Sequence, residues 1–207
     1  MLPPTFIDVL RDVGDNDRLG VMGYGAIISK YNPSSQGHGG VSYTLAPSSL
    51  YPSNDEWCGV LEAPLTYDLN YIRNNVLNSS TLLANKYNGW TPVGGALRDS
   101  AHYLSQNARS GVERVIILMS DGRANKPNGN GPGYALDMSY YAKGLNIKVY
   151  TISLGNGADE DLMQQIADVT GGEHFRAPGG SSGTLTTGLT DAFARIADAM
   201  KQTQLVQ

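Results

Sequence analysis

The sequence predicts an α/β fold: a three-layer α/β/α sandwich built on a doubly wound, mostly parallel sheet. Three observations predict it. Residues 113–120 (ERVIILMS) form a nearly unbroken apolar run of strand length. Residues 147–154 (IKVYTISL) form a second. Such runs belong to strands covered on both faces, as between two helix layers. Helical periodicities alternate with them, and that alternation argues for β-α-β units with right-handed crossovers.

Taken in order, residues 5–13 have the spacing of an amphipathic helix end, with Phe6, Val9, Leu10 and Val13 on one stripe. Gly14, Asp15, Asn16 and Asp17 then form a turn. Residues 18–28 (RLGVMGYGAII) read as a strand. Residues 30–58 are rich in Gly, Ser, Pro, Asn and Tyr. That is too long for an ordinary connector, so the stretch reads as a surface insertion, with a short strand at 40–45. A strand is expected at 60–66 and a helix at 68–77.

The second half is more regular. A helix over 93–107 places Ala96, Leu97, Ala101 and Leu104 together. A weaker helix runs over 132–143, and Gly144 suits its stop. The helix over 159–170 carries Leu162, Met163, Ile166 and Val169, and a short strand follows at 173–177. The last helix, over 189–200, carries Leu189, Phe193, Ile196 and Met200. No internal repeat or linker divides residues 1–207, so one domain is expected.

A single domain of 207 residues buries roughly 70% of its extended surface. It needs no disulfide or metal to hold a core. Charged residues are only 16%, and the net charge is -4. Bulk attraction to nucleic acid or anionic lipid is not expected. The single Cys58 excludes an internal disulfide, a CxxC pair and a thiolate zinc cluster. No run of about 18 apolar residues exists to span a membrane, and Met1-Leu2-Pro3-Pro4 carries no signal-peptide pattern.

Candidate chemistry centres on two positions. Asp121, in Ser120-Asp121-Gly122, follows the best strand, where ligands bind in open α/β sheets. Its carboxylate suits a hard cation, or it makes an Asx turn before Gly122. Thr91 precedes Pro92 and a helix. It is either that helix's N-cap, with Pro92 at N1, or a hydroxyl turned to a metal near Asp121.

Other patterns lack their context. Gly155-Asn156-Gly157 resembles a dinucleotide loop, but Asp159, Glu160 and Asp161 would repel a pyrophosphate and read as caps. Gly179-Gly180-Ser181-Ser182-Gly183 matches G-x-S-x-G, but no His follows to complete a hydrolase triad. His38, His102 and His174 show no ligand spacing. Trp57, Cys58 and the insertion's tyrosines form either a recognition surface or the insertion's own small core.

Several motifs then occur in order: Asp17-Arg18-Leu19-Gly20-Val21; Thr91-Pro92-Val93-Gly94-Gly95-Ala96-Leu97; VIILMSDG at 115–122; IKVYTISLG at 147–155; Thr170-Gly171-Gly172; and Phe193-Ala194-Arg195-Ile196-Ala197. This ordered set resembles a von Willebrand factor type A domain, in the style of bacterial domains associated with Tad-type pilus assembly. The resemblance implies a non-enzymatic, protein-binding domain of adhesion or assembly. It also implies a Mg2+, Mn2+ or Ca2+ site that bridges to a partner's acidic residue, with Thr91 and Asp121 among its ligands. The family's D-x-S-x-S loop is absent, as is the first, central strand that precedes it. Two ligands are too few for a hard cation, which takes six or more oxygens, so the expected binding is weak or absent.

Without that strand, residues 18–28 and 113–120 keep unpaired edges inside an apolar sheet, which invites pairing with another chain. Three explanations follow. The chain is a fragment or has a misassigned start, which is the favoured one; a partner chain donates the strand; or the flanking strands close up directly. Two other functional readings remain. One is a structural or pilus-assembly protein that binds through the Tyr-rich insertion without metal. The other, least favoured, is a hydrolase or nucleotide-binding enzyme. Few charges and abundant Tyr, Asn and Ser lean towards an extracytoplasmic location, at the cell surface or in the periplasm.

Overall fold

The computed structural model describes residues 17–25, 40–52, 58–77, 87 and 89–204. The expected helix at 5–13, most of the turn after it and His38 lie outside these residues. So do Trp57 and the end of the expected strand at 26–28.

Three strands, β3 (Arg114–Ser120), β4 (Ile147–Leu154) and β5 (His174–Ala177), form a parallel sheet in the order β3-β4-β5. β3 and β4 pair without a slip, from Arg114 opposite Ile147 to Ser120 opposite Ser153. Earlier in the chain, β1 (Leu19–Gly23) pairs antiparallel with β2 (Val60–Thr66) in a separate two-stranded sheet. Among the described residues, the four longest helices are α1 (Val93–Asn107), α2 (Gly131–Gly144), α3 (Glu160–Thr170) and α4 (Ser182–Gln204).

The layers follow from side-chain alternation. Leu118, Ile147 and Val149 point to one face and pack with Leu97, Met138 and Ile166 of α1, α2 and α3. Tyr150, Ile152 and Phe175 point to the other and pack with Phe193 and Ile196 of α4. Helices on both faces explain why the strands read as continuous apolar runs.

Local chemistry sets the helix ends. The Asp159 carboxylate accepts the Leu162 N–H, and Gly171 ends α3 with φ 75° in the left-handed region. The acidic cluster after Gly157 therefore caps a helix, as its sequence suggests. α2 ends at Gly144, but the left-handed residue is Asn146, at φ 55°. α4 starts well before the expected residue 189. Its first turns bury little, and the hydroxyls of Thr186, Thr187 and Thr190 bond back to carbonyls four residues earlier.

Two expectations for the first half are corrected. The helix over 68–77 is a short α-turn, Leu69–Tyr71, followed by a π-helical segment, Ile72–Leu77. The strand expected at 40–45 is reduced to one bridge between Val41 and Leu61, in a segment whose tyrosines are engaged elsewhere.

That engagement anchors the described part of the insertion. Asp99 accepts the Gly59 N–H at 2.8 Å, and the Tyr43 hydroxyl lies 3.2 Å from its Oδ2. The Tyr51 ring stacks 3.6 Å from the Arg98 guanidinium. Tyr43 and Tyr51 thus serve the insertion's own packing.

The flanking strands do not close up. β1 and β3 face each other unpaired, in different sheets. The β1–β2 hairpin is held by contacts that leave the space open: Arg18 donates to Asn107 O at 3.1 Å, Ser100 Oγ lies 3.2 Å from the Met22 sulfur, and the Tyr24 hydroxyl donates to the Met119 carbonyl.

Candidate functional site

Thr91 and Asp121 come together at the C-terminal ends of β3 and β4. A Cβ placed on Gly122 would sit 3.0 Å from the Thr91 hydroxyl oxygen. The N-cap of α1 is Pro92, with no side-chain cap bond. The reading of Thr91 as N-cap is therefore corrected. Its backbone is held elsewhere: Thr91 N donates to Asn125 Oδ1 at 2.8 Å, and Thr91 O accepts from Val93 and Asn125. This pinning turns the hydroxyl towards the strand end.

Asp121 is exposed, and no hydrogen bond reaches its carboxylate among the described residues. The turn is closed by Ser120 instead of Asp121: its Oγ accepts the Gly122 N–H at 3.4 Å and donates to Gly122 O at 3.0 Å. From the β4 side, a Cβ on Gly157 would lie 2.8 Å from the Asp121 carbonyl oxygen. Only a residue without a side chain allows the two strand ends to approach so closely. Around this point lie Arg123 and Asn125, both exposed, and Trp90, whose ring stacks 4.0 Å from Lys126 Nζ.

These residues do not fit a complete cation site. Thr91 and Asp121 supply at most three side-chain oxygens, and no group of three or more His, Cys, Asp or Glu side chains converges among the described residues. A hard cation takes six or more oxygens.

Tyr24 is a site residue that the sequence did not flag. Its half-buried side chain lies beside Ser120 and Asp121, and burial pushes the hydroxyl up to about 12. The Ser120 hydrogen bond opposes that rise and the Asp121 charge adds to it. Asn125 was also missed, since nothing local marks an Asn five residues past a strand as a loop anchor.

The remaining candidates are structural. His102 Nδ1 lies 3.0 Å from the Tyr141 hydroxyl, and His174 Nδ1 lies 2.9 Å from Thr151 Oγ1. Ser181 Oγ accepts the Thr184 N–H at 3.3 Å, at the start of α4. Cys58, the chain's single cysteine, is buried with its sulfur 3.8 Å from Arg98 Nη2. No helix among the described residues is long and apolar enough to cross a membrane.

The sequence profile of the von Willebrand factor type A domain matches residues 62–187, more than half of the chain. Matrilin-1 of Homo sapiens is 33% identical over 88 residues, covering 41% of this chain and 16% of that protein. Matrilin-1 of Gallus gallus matches to the same extent. The match thus spans 16% of the length of these relatives.

Among solved structures, the pilus adhesin SpaC of Lactobacillus rhamnosus GG superposes with a TM-score of 0.58 at 13% identity, over 96% of this chain and 27% of that one. The conserved hypothetical protein BatB of Bacteroides thetaiotaomicron gives 0.53 at 15% identity, over 94% and 85%. At these identities the likeness is one of fold.

Proposed function

The chain belongs to the von Willebrand factor type A family, and on that premise we propose that it is a non-enzymatic protein-binding domain of adhesion or assembly. Domains of this family commonly bind proteins. The contact surface is the end of the sheet around Thr91, Asp121, Arg123 and Trp90. One observation carries this: Thr91 does not cap its helix but presents its hydroxyl against Gly122, the residue after the exposed Asp121 at the strand end. Polar groups left unengaged at the carboxyl end of a parallel sheet are where such folds take ligands.

In this chain cation binding is weak or absent, so contact with the partner's acidic residue falls to the protein's own groups. A strand supplied by another chain, between β1 and β3, belongs to the same reading. The placement is extracytoplasmic, supported by the low charge and the abundance of Tyr, Asn and Ser. The pilus adhesin neighbour supports an adhesive use of the fold, and a pilus-assembly setting in bacteria is the narrower form of the proposal.

The test is photo-cross-linking from a reactive residue at position 123. The expected result is one partner adduct that survives EDTA and is lost in the Thr91→Ala, Asp121→Ala double variant. An adduct that survives the double variant but disappears on deletion of residues 30–58 would move recognition to the insertion. In calorimetry with Mg2+, Mn2+ or Ca2+, weak, unsaturated heats are expected. Saturable micromolar binding unaffected by Asp121→Ala would refute the site assignment.

A further inference from the structure

β5 ends the three-stranded sheet, and a groove of about 600 Å3 lies between it and α4. Phe175 and Arg176 line the strand side, and Gly188, Asp191 and Arg195 line the helix side. Neighbouring side chains of a strand point to opposite faces. A groove that both Phe175 and Arg176 line therefore runs along the outer edge of β5.

The ladder to β4 decides what that edge offers. Thr151 N donates to Glu173 O, and Gly155 N donates to Ala177 O. With Thr151 opposite His174 in a parallel pair, the backbone groups of residues 173, 175 and 177 turn to β4. Those of His174 and Arg176 turn outwards, and they make no backbone bond among the described residues. The edge thus offers two N–H and two C=O groups. On β2, by contrast, Val41 N donates to Leu61 O and covers part of the strand. Charge is the usual guard of an open edge, but the charge of Arg176 is taken by Glu160 at 2.9 Å.

The helix side adds one unmet charge. Gly188 lets α4 approach the end of β5: a Cβ there would lie 3.0 Å from Ala177 Cα. At the other end Arg195 bonds to Glu173, and its guanidinium lies 4.7 Å from the centre of the Phe175 ring. Helix and strand therefore run in opposite directions. From 188 to 195 the helix spans about 10 Å, and the strand from 177 to 174 spans about the same. Asp191 sits between these ends, exposed, with no hydrogen bond or ion pair among the described residues. Both arginines of the groove are paired, so the charge that remains is negative.

We propose that this groove takes an extended, basic segment of a partner protein as an added strand on β5, with a Lys or Arg of that segment paired to Asp191. The outward N–H and C=O groups call for a peptide backbone, the mode of recognition in which a strand joins a sheet edge. Period two places every second side chain of the occupant over α4, and Asp191 selects a cation at the central one. β5 is 4 residues long, which sets the paired length. Pro178 follows it and brings no N–H to extend the ladder. This inference extends the protein-binding reading to a second surface. The cross-link from position 123 reports on the first surface, so either can fail while the other stands.

The experiment uses the full chain and a blocked peptide, Thr-Val-Lys-Val-Thr, whose β-branched residues favour a strand. One control carries Glu in place of Lys. The other has every amide N-methylated, which leaves it no donor for the ladder. With saturating Lys peptide, amide exchange at His174 and Arg176 should slow by about tenfold or more. Exchange at Phe175 and Ala177, already bonded to β4, should stay as it was. The Glu peptide should bind about two- to fivefold more weakly, the scale of an exposed ion pair, and the N-methylated peptide should not bind. Asp191→Lys should reverse the ranking of the Lys and Glu peptides. Equal slowing at all four amides would mean general stabilisation and not strand addition, and would overturn the proposal. So would unchanged exchange, binding of the N-methylated peptide, or an unaltered ranking in Asp191→Lys. Slowing at His174 and Arg176 that rises with protein concentration alone would also overturn it, since the occupant would then be a second copy.

Discussion

Arg98 and Asp99, neighbours in sequence, form an ion pair inside the protein: Arg98 Nε lies 2.7 Å from Asp99 Oδ1, with both residues fully buried. Burial pulls the guanidinium down, and the Asp99 carboxylate more than reverses that, so Arg98 stays charged. Tyr134 accepts from Arg98 Nη1 at 2.8 Å, and Gly59 N donates to Asp99. The pair ties α1 to α2 and to the end of the insertion. Arg98→Ala leaves Asp99 buried and uncompensated, so a loss of about 3–5 kcal/mol is expected in urea unfolding. A loss under about 1 kcal/mol would mean that the pair is not buried as described.

His174 makes stability depend on pH. Thr151 Oγ1 donates to Met163 O, so it accepts from His174 Nδ1, which leaves Nε2 as a buried atom without a partner. Burial holds the imidazole below its ordinary 6.5, against opposing pulls from Glu160 and Asp168. The unfolded chain therefore takes up the proton first. Stability is full above about pH 6.5 and falls as pH drops through the folded value. Chemical denaturation at pH 7.5 and pH 5.5 should give a lower midpoint at the acid pH, and His174→Gln should narrow the gap. An unchanged gap would assign the effect to other groups.

Thr91 tests the separation of site from scaffold. Because its hydroxyl caps nothing, Thr91→Ala should cost well under the ~1 kcal/mol of a lost N-cap. Partner adducts from position 123 should nevertheless weaken. A full cap-sized loss in a thermal melt would return the residue to a structural role.

Cys58 should be inert in the folded protein. It is fully buried, and burial pushes its thiol up to about 12, with the Asp99 charge adding to the rise. Thiolate is the reactive form. Native protein should resist iodoacetamide, and urea-unfolded protein should label to one equivalent. Rapid native labelling would contradict the packing around Gly59 and Arg98.

Much of the second half was legible in sequence. ERVIILMS and IKVYTISL each carry a strand whose two covered faces leave few polar positions, Thr151 and Ser153 among them, to confuse the pattern. Asp159 and Gly171 mark the ends of α3 by their own side-chain and backbone chemistry. The first half was less legible because its pairing is non-local. Residues 40–45 have strand-like composition, yet Tyr43 is drawn to Gly59 and Asp99, and one bridge is all that forms. The start of α4 was missed because a run of Gly, Ser and Thr has no apolar stripe to read.

The sequence alone determined the layered class and most strands and helices of the second half, because hydrophobic period, caps and left-handed glycines act within a few residues. It also brought out Thr91 and Asp121 as a pair, and the lack of a central strand between β1 and β3. Only the tertiary structure decided what becomes of those features. Whether Thr91 caps α1 depends on Asn125, 34 residues away. Whether the gap closes depends on Arg18, Met22 and Tyr24 holding the hairpin against α1 and β3. Those are contacts between distant segments, and no local pattern encodes their balance.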